Sequence, residues 1–288
     1  MRHTRPILAI LASMALHGCT ADDMHQQEER LVVEGWIDDG GYPDVYLTTS
    51  VAITKEYQHL DSLDKHVVRW AKVTVSDGEQ EVVLTGLYNN QLFPPYHYTT
   101  GRLRGRSGGT YRLTVDWRGH HAEAVTTIPE RAEVDTFLVE RCADSDTLYS
   151  LKARFADPTS TTDYYKAFVR VRGHSNNYLS PYLSTFNDKV LDGSAMTEVA
   201  IYRGELMKDE NFSPFFTKGS VVDVKFARMD EQSYLFWEGY EKAVSISRNP
   251  LFPVAENIKG NVKGALGSWC GYGATVYTLH IGQTEGER

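Results

Sequence analysis

Short segments of alternating apolar and polar residues recur roughly every ten positions along this chain, with turn residues between them. Leu31, Val33, Gly35 and Ile37 alternate with Val32, Glu34, Trp36 and Asp38, the period of two that a strand with one buried face requires. Asp39-Gly40-Gly41 supplies a turn, and Asp44 to Ile53 returns. After a charged loop come Val67 to Trp70 and Lys72 to Val75. Asp77-Gly78 then turns the chain into Glu81 to Leu84. Gly109 to Trp117, the turn Arg118-Gly119 and Ala122 to Thr127 complete the series. An isolated strand of this kind cannot bury its apolar face alone. Many in succession predict an antiparallel, immunoglobulin-like β-sandwich over residues 30–129.

Ile128-Pro129-Glu130 marks a boundary, because proline cannot donate to a strand ladder. Strand patterns resume at Val134 to Val139, Leu148 to Phe155, Tyr164 to Val171, Thr197 to Arg203, Ser220 to Ala227 and Ala274 to Ile281. One segment differs. Residues 230–246 set Tyr234, Leu235, Trp237, Tyr240 and Val244 at helical spacing, behind Asp230 as N-cap and Glu231 in the first turn. The predicted fold is all-β with one amphipathic helix. A second antiparallel β domain spans residues 130–288.

The N-terminus carries a different signal. Arg2 and Arg5 precede an apolar run from Ile7 to Leu16 that ends in Leu16-His17-Gly18-Cys19. The run is about half of the roughly 20 residues that a membrane span needs, so residues 1–18 read as a removable signal peptide. Small Gly18 before Cys19 resembles a bacterial lipobox, which makes Cys19 the expected lipidation site. A multiply acylated cysteine anchors stably where one chain holds only marginally. Residues 19–29 are polar and bury nothing, so they read as an acidic flexible tether. Asp22-Asp23 resembles the export signal that places Bacteroidota lipoproteins on the cell surface, giving an expected address at the outer membrane, exposed outward.

Loss of Arg2 and Arg5 with the signal takes the formal charge from −8 to −10. That balance argues against nucleic acid as a partner, since phosphates need a basic footprint. Two further thiols, Cys142 and Cys270, fit a disulfide in an exported chain or two separate buried cysteines.

Catalytic patterns are missing. The sequence holds no phosphate loop, zinc helix or nucleophile elbow, since Leu266 stands where an elbow around Ser268 needs glycine. His120 and His121 are neighbours at a hairpin tip and point to opposite faces, so together they make a poor metal chelate. The sequence therefore predicts no enzyme, cofactor or metal site. The strongest binding candidate is the aromatic loop with Tyr88, Asn90, Phe93, Tyr96 and Tyr98, where rings and amides suit a glycan, a peptide or a protein partner. A structural reading of the same loop has Phe93 and one tyrosine plugging the sandwich end.

Several segments together resemble a Bacteroidota outer-membrane lipoprotein family known as domain of unknown function 4249. They are Leu31 to Ile37, Ala71 to Gly78, Gly109 to Val115, Thr126 to Pro129, Asn249 to Phe252 and Asn257 to Gly260. The resemblance implies a neighbouring TonB-dependent receptor and assigns no reaction. The expected role is a non-enzymatic surface lipoprotein, accessory to such a receptor, binding its substrate or the receptor itself. A surface hydrolase acting on glycan or peptide and a structural adhesin or assembly subunit are the alternatives.

Overall fold

The computed structural model describes residues 29–50, 64–156, 161–188, 196–204, 212–247 and 258–283. Cys19, most of the tether and the segment Asn249 to Phe252 lie outside the described residues.

The first half opens with the predicted β1 (Leu31–Asp38) and β2 (Asp44–Thr49), then β3 (Lys72–Ser76) and β4 (Glu81–Val83), whereas Val67 to Trp70 forms no strand beyond a single bridge from Val67 to Thr48. The loop expected from Tyr88 to Tyr98 is a hairpin of two short strands, β5 (Thr85–Tyr88) and β6 (Tyr96–Thr99). β7 (Thr110–Trp117) and β8 (His120–Thr127) follow. The second half contains β9 (Thr136–Arg141), β10 (Leu148–Ala156), β11 (Tyr164–Val171), β12 (Thr185–Asn187), β13 (Met196–Ile201), β14 (Phe216–Thr217) and β15 (Val221–Met229). Helix α1 (Glu231–Ser247) and the long strand β16 (Leu266–His280) complete it.

These strands form a four-stranded sheet in the order β4-β3-β7-β8, a second four-stranded sheet around β10, and an eight-stranded sheet in the order β12-β11-β15-β16-β1-β2-β6-β5. The eight-stranded sheet belongs to both halves because β16 serves each in turn. Its residues 266–272 pair in parallel with β1, and residues 272–280 pair antiparallel with β15. Residues expected to lie wholly in the second domain thus build the first sandwich. Trp269 is fully buried there among Val33, Ile37, Leu113 and Val115, and its indole N–H donates to the Tyr111 carbonyl at 3.0 Å.

The link between the halves crosses β16 where that strand is bare. A Cβ on Gly273 would stand 2.3 Å from the Pro129 carbonyl oxygen, and one on Gly271 would stand 2.9 Å from the Thr127 carbonyl. Only glycine admits this crossing. The second sandwich packs Leu151, Phe155, Tyr165, Val224, Phe226 and their neighbours between its two sheets.

A third apolar layer covers the opposite face of the eight-stranded sheet. Phe168, Ala227, Met229, Cys270 and Tyr272 receive Tyr234 from α1, with Trp36, Tyr178 and Trp237 packed at the margin. Asp230 caps α1 as predicted, accepting from the Ser233 N–H at 2.8 Å, and its other oxygen accepts from the Thr126 hydroxyl. Leu235 and Tyr240 lie off the packed face and are exposed. Cys142 and Cys270 are free thiols, which corrects the expected pairing. Cys142 follows β9 in the sheet around β10, whereas Cys270 is buried under α1, where desolvation raises its pKa.

Candidate functional site: the clasped sheet face

The alternation of β1 that sends Val33 and Ile37 into the sandwich core sends Glu34, Trp36 and Asp38 to the other face. Likewise Asp44 and Tyr46 of β2 and His97 of β6 leave the core to Val45, Leu47 and Tyr98. The result is a row of rings. Trp36 stacks on Tyr46 with centroids 5.6 Å apart, and Tyr46 meets His97 at 5.5 Å. His97 Nδ1 lies 2.6 Å from Asp44 Oδ1, which fixes the imidazole plane.

Glu34 stands beside this row, exposed to solvent yet crowded by protein on its flanks. Desolvation raises its carboxyl above the ordinary carboxylate value, and the Asp44 charge adds to the shift. Desolvation also raises the Tyr46 phenol, reinforced by Asp44 and Glu34.

Farther along the sheet, charge is neutralised in pairs. Lys225 crosses the Tyr272 ring, 4.7 Å from its centroid, to reach both oxygens of Asp38 at 2.6 and 2.7 Å. Asp223 accepts from Arg172, Arg170 and Thr278, and those donors hold its carboxyl far below the usual range despite burial.

Lys166 sits fully buried in β11 beneath α1. Its Nζ lies 2.7 Å from Glu241 of α1 and within 3.0 Å of the Ser180, Ser184 and Thr185 hydroxyls. Burial pushes Lys166 down to about 8, with Glu241 opposing the shift. Lys166 could resemble a serine–lysine catalytic pair. Instead Glu241 accepts from Lys166 and Thr185, and the single Ser184 hydroxyl proton lies between Glu241 and the Pro181 carbonyl, so both hydroxyls are held in the cluster's own hydrogen bonds. The cluster locks α1 and the 180–185 segment onto the sheet.

Two distant turns are clasped beside this layer. The Asn177 side chain accepts from the Phe93 N–H at 3.1 Å and donates to the Phe93 carbonyl at 2.9 Å, while Asn176 donates to the Gln91 carbonyl. Adjacent Tyr178 packs into the third layer with its ring under Arg170, 4.6 Å away. A sheet face with half-buried Trp36 and His97 flanking the buried Tyr46 ring, an exposed carboxylate at Glu34 and a hydrogen-bonded strap can hold a planar or sugar-like group by stacking and orient it by hydrogen bonds.

The predicted loop residues disperse. Tyr98 is a core residue, its hydroxyl donating to the Val68 carbonyl and accepting from the Ala71 N–H, so it cannot line a surface site. Tyr96 lies over Gly86 with its hydroxyl on the Arg69 carbonyl. Tyr88 and Asn90 are exposed, and Phe93 joins the clasp through its main chain. His120 and His121 diverge, one stacked on Trp117 and the other paired with Asp116.

Sequence reasoning passed over Glu34, Trp36, Tyr46, Asp44 and His97, whose outward positions read as an ordinary solvent face. Lys166 did leave a signal, as a lone cation in the apolar run Tyr164 to Val169. Among the described residues no group of three or more metal-ligating side chains occurs, and no helix is long and apolar enough to cross a membrane.

The family described as a domain of unknown function (DUF4249) matches residues 20–278. The chain belongs to that family. No curated protein matches it.

Proposed function

We propose that this protein is a lipid-anchored, surface-exposed outer-membrane component that binds ligand on the clasped sheet face and works beside a TonB-dependent receptor. The observation that carries the binding reading is the Trp36–Tyr46–His97 row next to Glu34. Stacked rings with an accessible carboxylate offer apolar area and orienting polarity together. The lipobox at Cys19 and the family resemblance support the address and the receptor, and the net negative charge argues against nucleic acid.

Affinity capture from detergent-solubilised outer membranes tests it. The parent should recover a receptor barrel or a bound glycan or peptide, and Trp36→Ala with Glu34→Ala should weaken recovery at least tenfold. Equal recovery by parent and variant would reject the clasped face as the site.

One observation favours a hydrolase as the second reading. Glu34 and Asp44 lie on the same face of adjacent strands and desolvation raises the Glu34 carboxyl, and glycoside hydrolysis uses a pair of carboxyl groups. Turnover of a chromogenic glycoside that Glu34→Gln abolishes would establish that reading over simple binding.

A further inference from the structure

The end of the first sandwich where the chain enters carries aromatic surface that neither the core nor the clasped face uses. Trp70, two residues before β3, is 88% exposed, and Tyr88 at the end of β5 is 66% exposed. The two are linked through Tyr96, which pairs with Tyr88 across the hairpin and donates to the carbonyl of Arg69. Trp70 also shares an open concavity with Trp117, Arg118, Lys65 and Arg69. The Arg118 guanidinium lies 5.1 Å from the Trp117 ring centroid. Rings with polar edges beside long cationic side chains suit the headgroup layer of a membrane, where each has one apolar and one wet side.

The entry of the tether selects the occupant. Glu29 lines the same concavity, held by the Thr49 hydroxyl at 2.7 Å, and the Arg30 N–H donates to Ser50. From Cys19 to Glu29 the chain can span at most about 35 Å, with a root-mean-square reach of roughly 17 Å if flexible. An acyl group at Cys19 would therefore keep this end, ahead of any other, close to the bilayer. Glu29 and Asp64, the latter paired with Arg69 at 2.6 Å, offset part of the positive charge. Aromatic insertion therefore contributes more here than charge.

We propose that the Trp70 end of the first sandwich is a membrane-docking surface that seats in the lipid headgroup layer and sets the orientation of the anchored chain. The proposal rests on the Cys19 lipid-anchor reading and extends it. The patch orients a chain that the lipid already holds.

The test imposes the anchor chemically. Residues 19–288 carrying Cys142→Ser are coupled through Cys19 to a maleimide phospholipid in mixed phosphatidylcholine–phosphatidylglycerol vesicles, with doxyl quencher placed near the headgroups. Buried Cys270 stays in place. Tryptophan fluorescence of this protein should be quenched, and adding Trp70→Phe should remove more than half of that quenching. Trp70 is exposed, so the substitution does not threaten the fold. Equal quenching with and without Trp70, or none in either, would overturn the proposal. Protection of Trp70 only when a receptor barrel is present would also overturn it, in favour of a protein partner. Mass analysis of the native N-terminal peptide reads lipidation separately, so failure of the anchor and failure of the docking surface are distinguishable.

Discussion

Glu241→Gln removes the carboxylate bonded to the buried Lys166 ammonium while preserving side-chain shape. In the parent, Lys166 is 0% exposed and Glu241 11%, so neither charge has much water to fall back on. The three hydroxyls within 3.0 Å can orient the ammonium but cannot neutralise it. Leaving one member of a buried pair uncompensated costs about 3–5 kcal/mol. Lys166 is lowered from 10.5 to about 8 on folding, so the unfolded chain holds this proton more tightly. Stability from this site therefore rises with pH between those values, and the penalty for the charged lysine is fully present below about 8.

Without Glu241 the folded lysine sheds its proton at still lower pH. The loss caused by Glu241→Gln should then be largest at the acid end of the range, shrink as pH rises toward the parent value of about 8, and level off above it. Urea unfolding of parent and variant across that range measures it, with Trp237, 4.5 Å from Lys166 Nζ, as a local fluorescent reporter. Lys166→Met combined with Glu241→Leu should recover most of the stability, since apolar side chains of similar volume often replace a buried pair without loss. A loss that is independent of pH, or below about 1 kcal/mol, would refute the assignment of the pair as the lock on α1.

Trp269→Ala should destabilise by about 3–5 kcal/mol and should melt the first sandwich, although the residue lies near the C-terminus; hydrogen exchange of β1 and β7 reads which half opens. Gly273→Ala should cost about 1–3 kcal/mol in thermal unfolding, because its Cβ would press on the Pro129 and Glu130 carbonyls, whereas Gly78→Ala should act only through its positive φ, having open space. Asp223→Asn should flatten the acid limb of stability. The parent carboxyl is depressed by Arg172 and its other donors, so its contribution is present above the ordinary carboxylate pKa and is lost as pH falls through the lower folded value, which acid titration by circular dichroism would follow. Cys19→Ser should shift the protein from the membrane fraction to the soluble fraction with both β halves folded, and high-salt washing would reveal any charge-based retention by a partner.

Much of the local architecture was legible in the residues because it depends on near neighbours. Period-two alternation in Leu31 to Asp38 and in Thr110 to Trp117 sets which side chains face inward whatever the partner strand is. Asp230 reads as a cap because its carboxylate reaches an N–H three residues away. The hairpin at Arg118-Gly119 follows from turn chemistry alone. The candidate site was much less legible. Glu34, Trp36 and Asp44 look like any outward-facing strand residues until strand pairing and the third layer bring them together on one face, and Tyr98 looks like a loop aromatic until β6 pairs with β2.

Only the tertiary structure could decide how the halves join. The parallel pairing of Val32 with Leu266, the clasp of Phe93 by Asn177 and the ion pair of Lys166 with Glu241 link residues whose separation carries no periodic or local signal. Gly271 and Gly273 would each weaken a strand on their own. They lie within β16 where the Thr127–Glu130 link must cross bare backbone, and that requirement exists only once both sheets are in place. Local residue patterns set the strands and their faces, while long-range packing chose which strand belongs to both sandwiches.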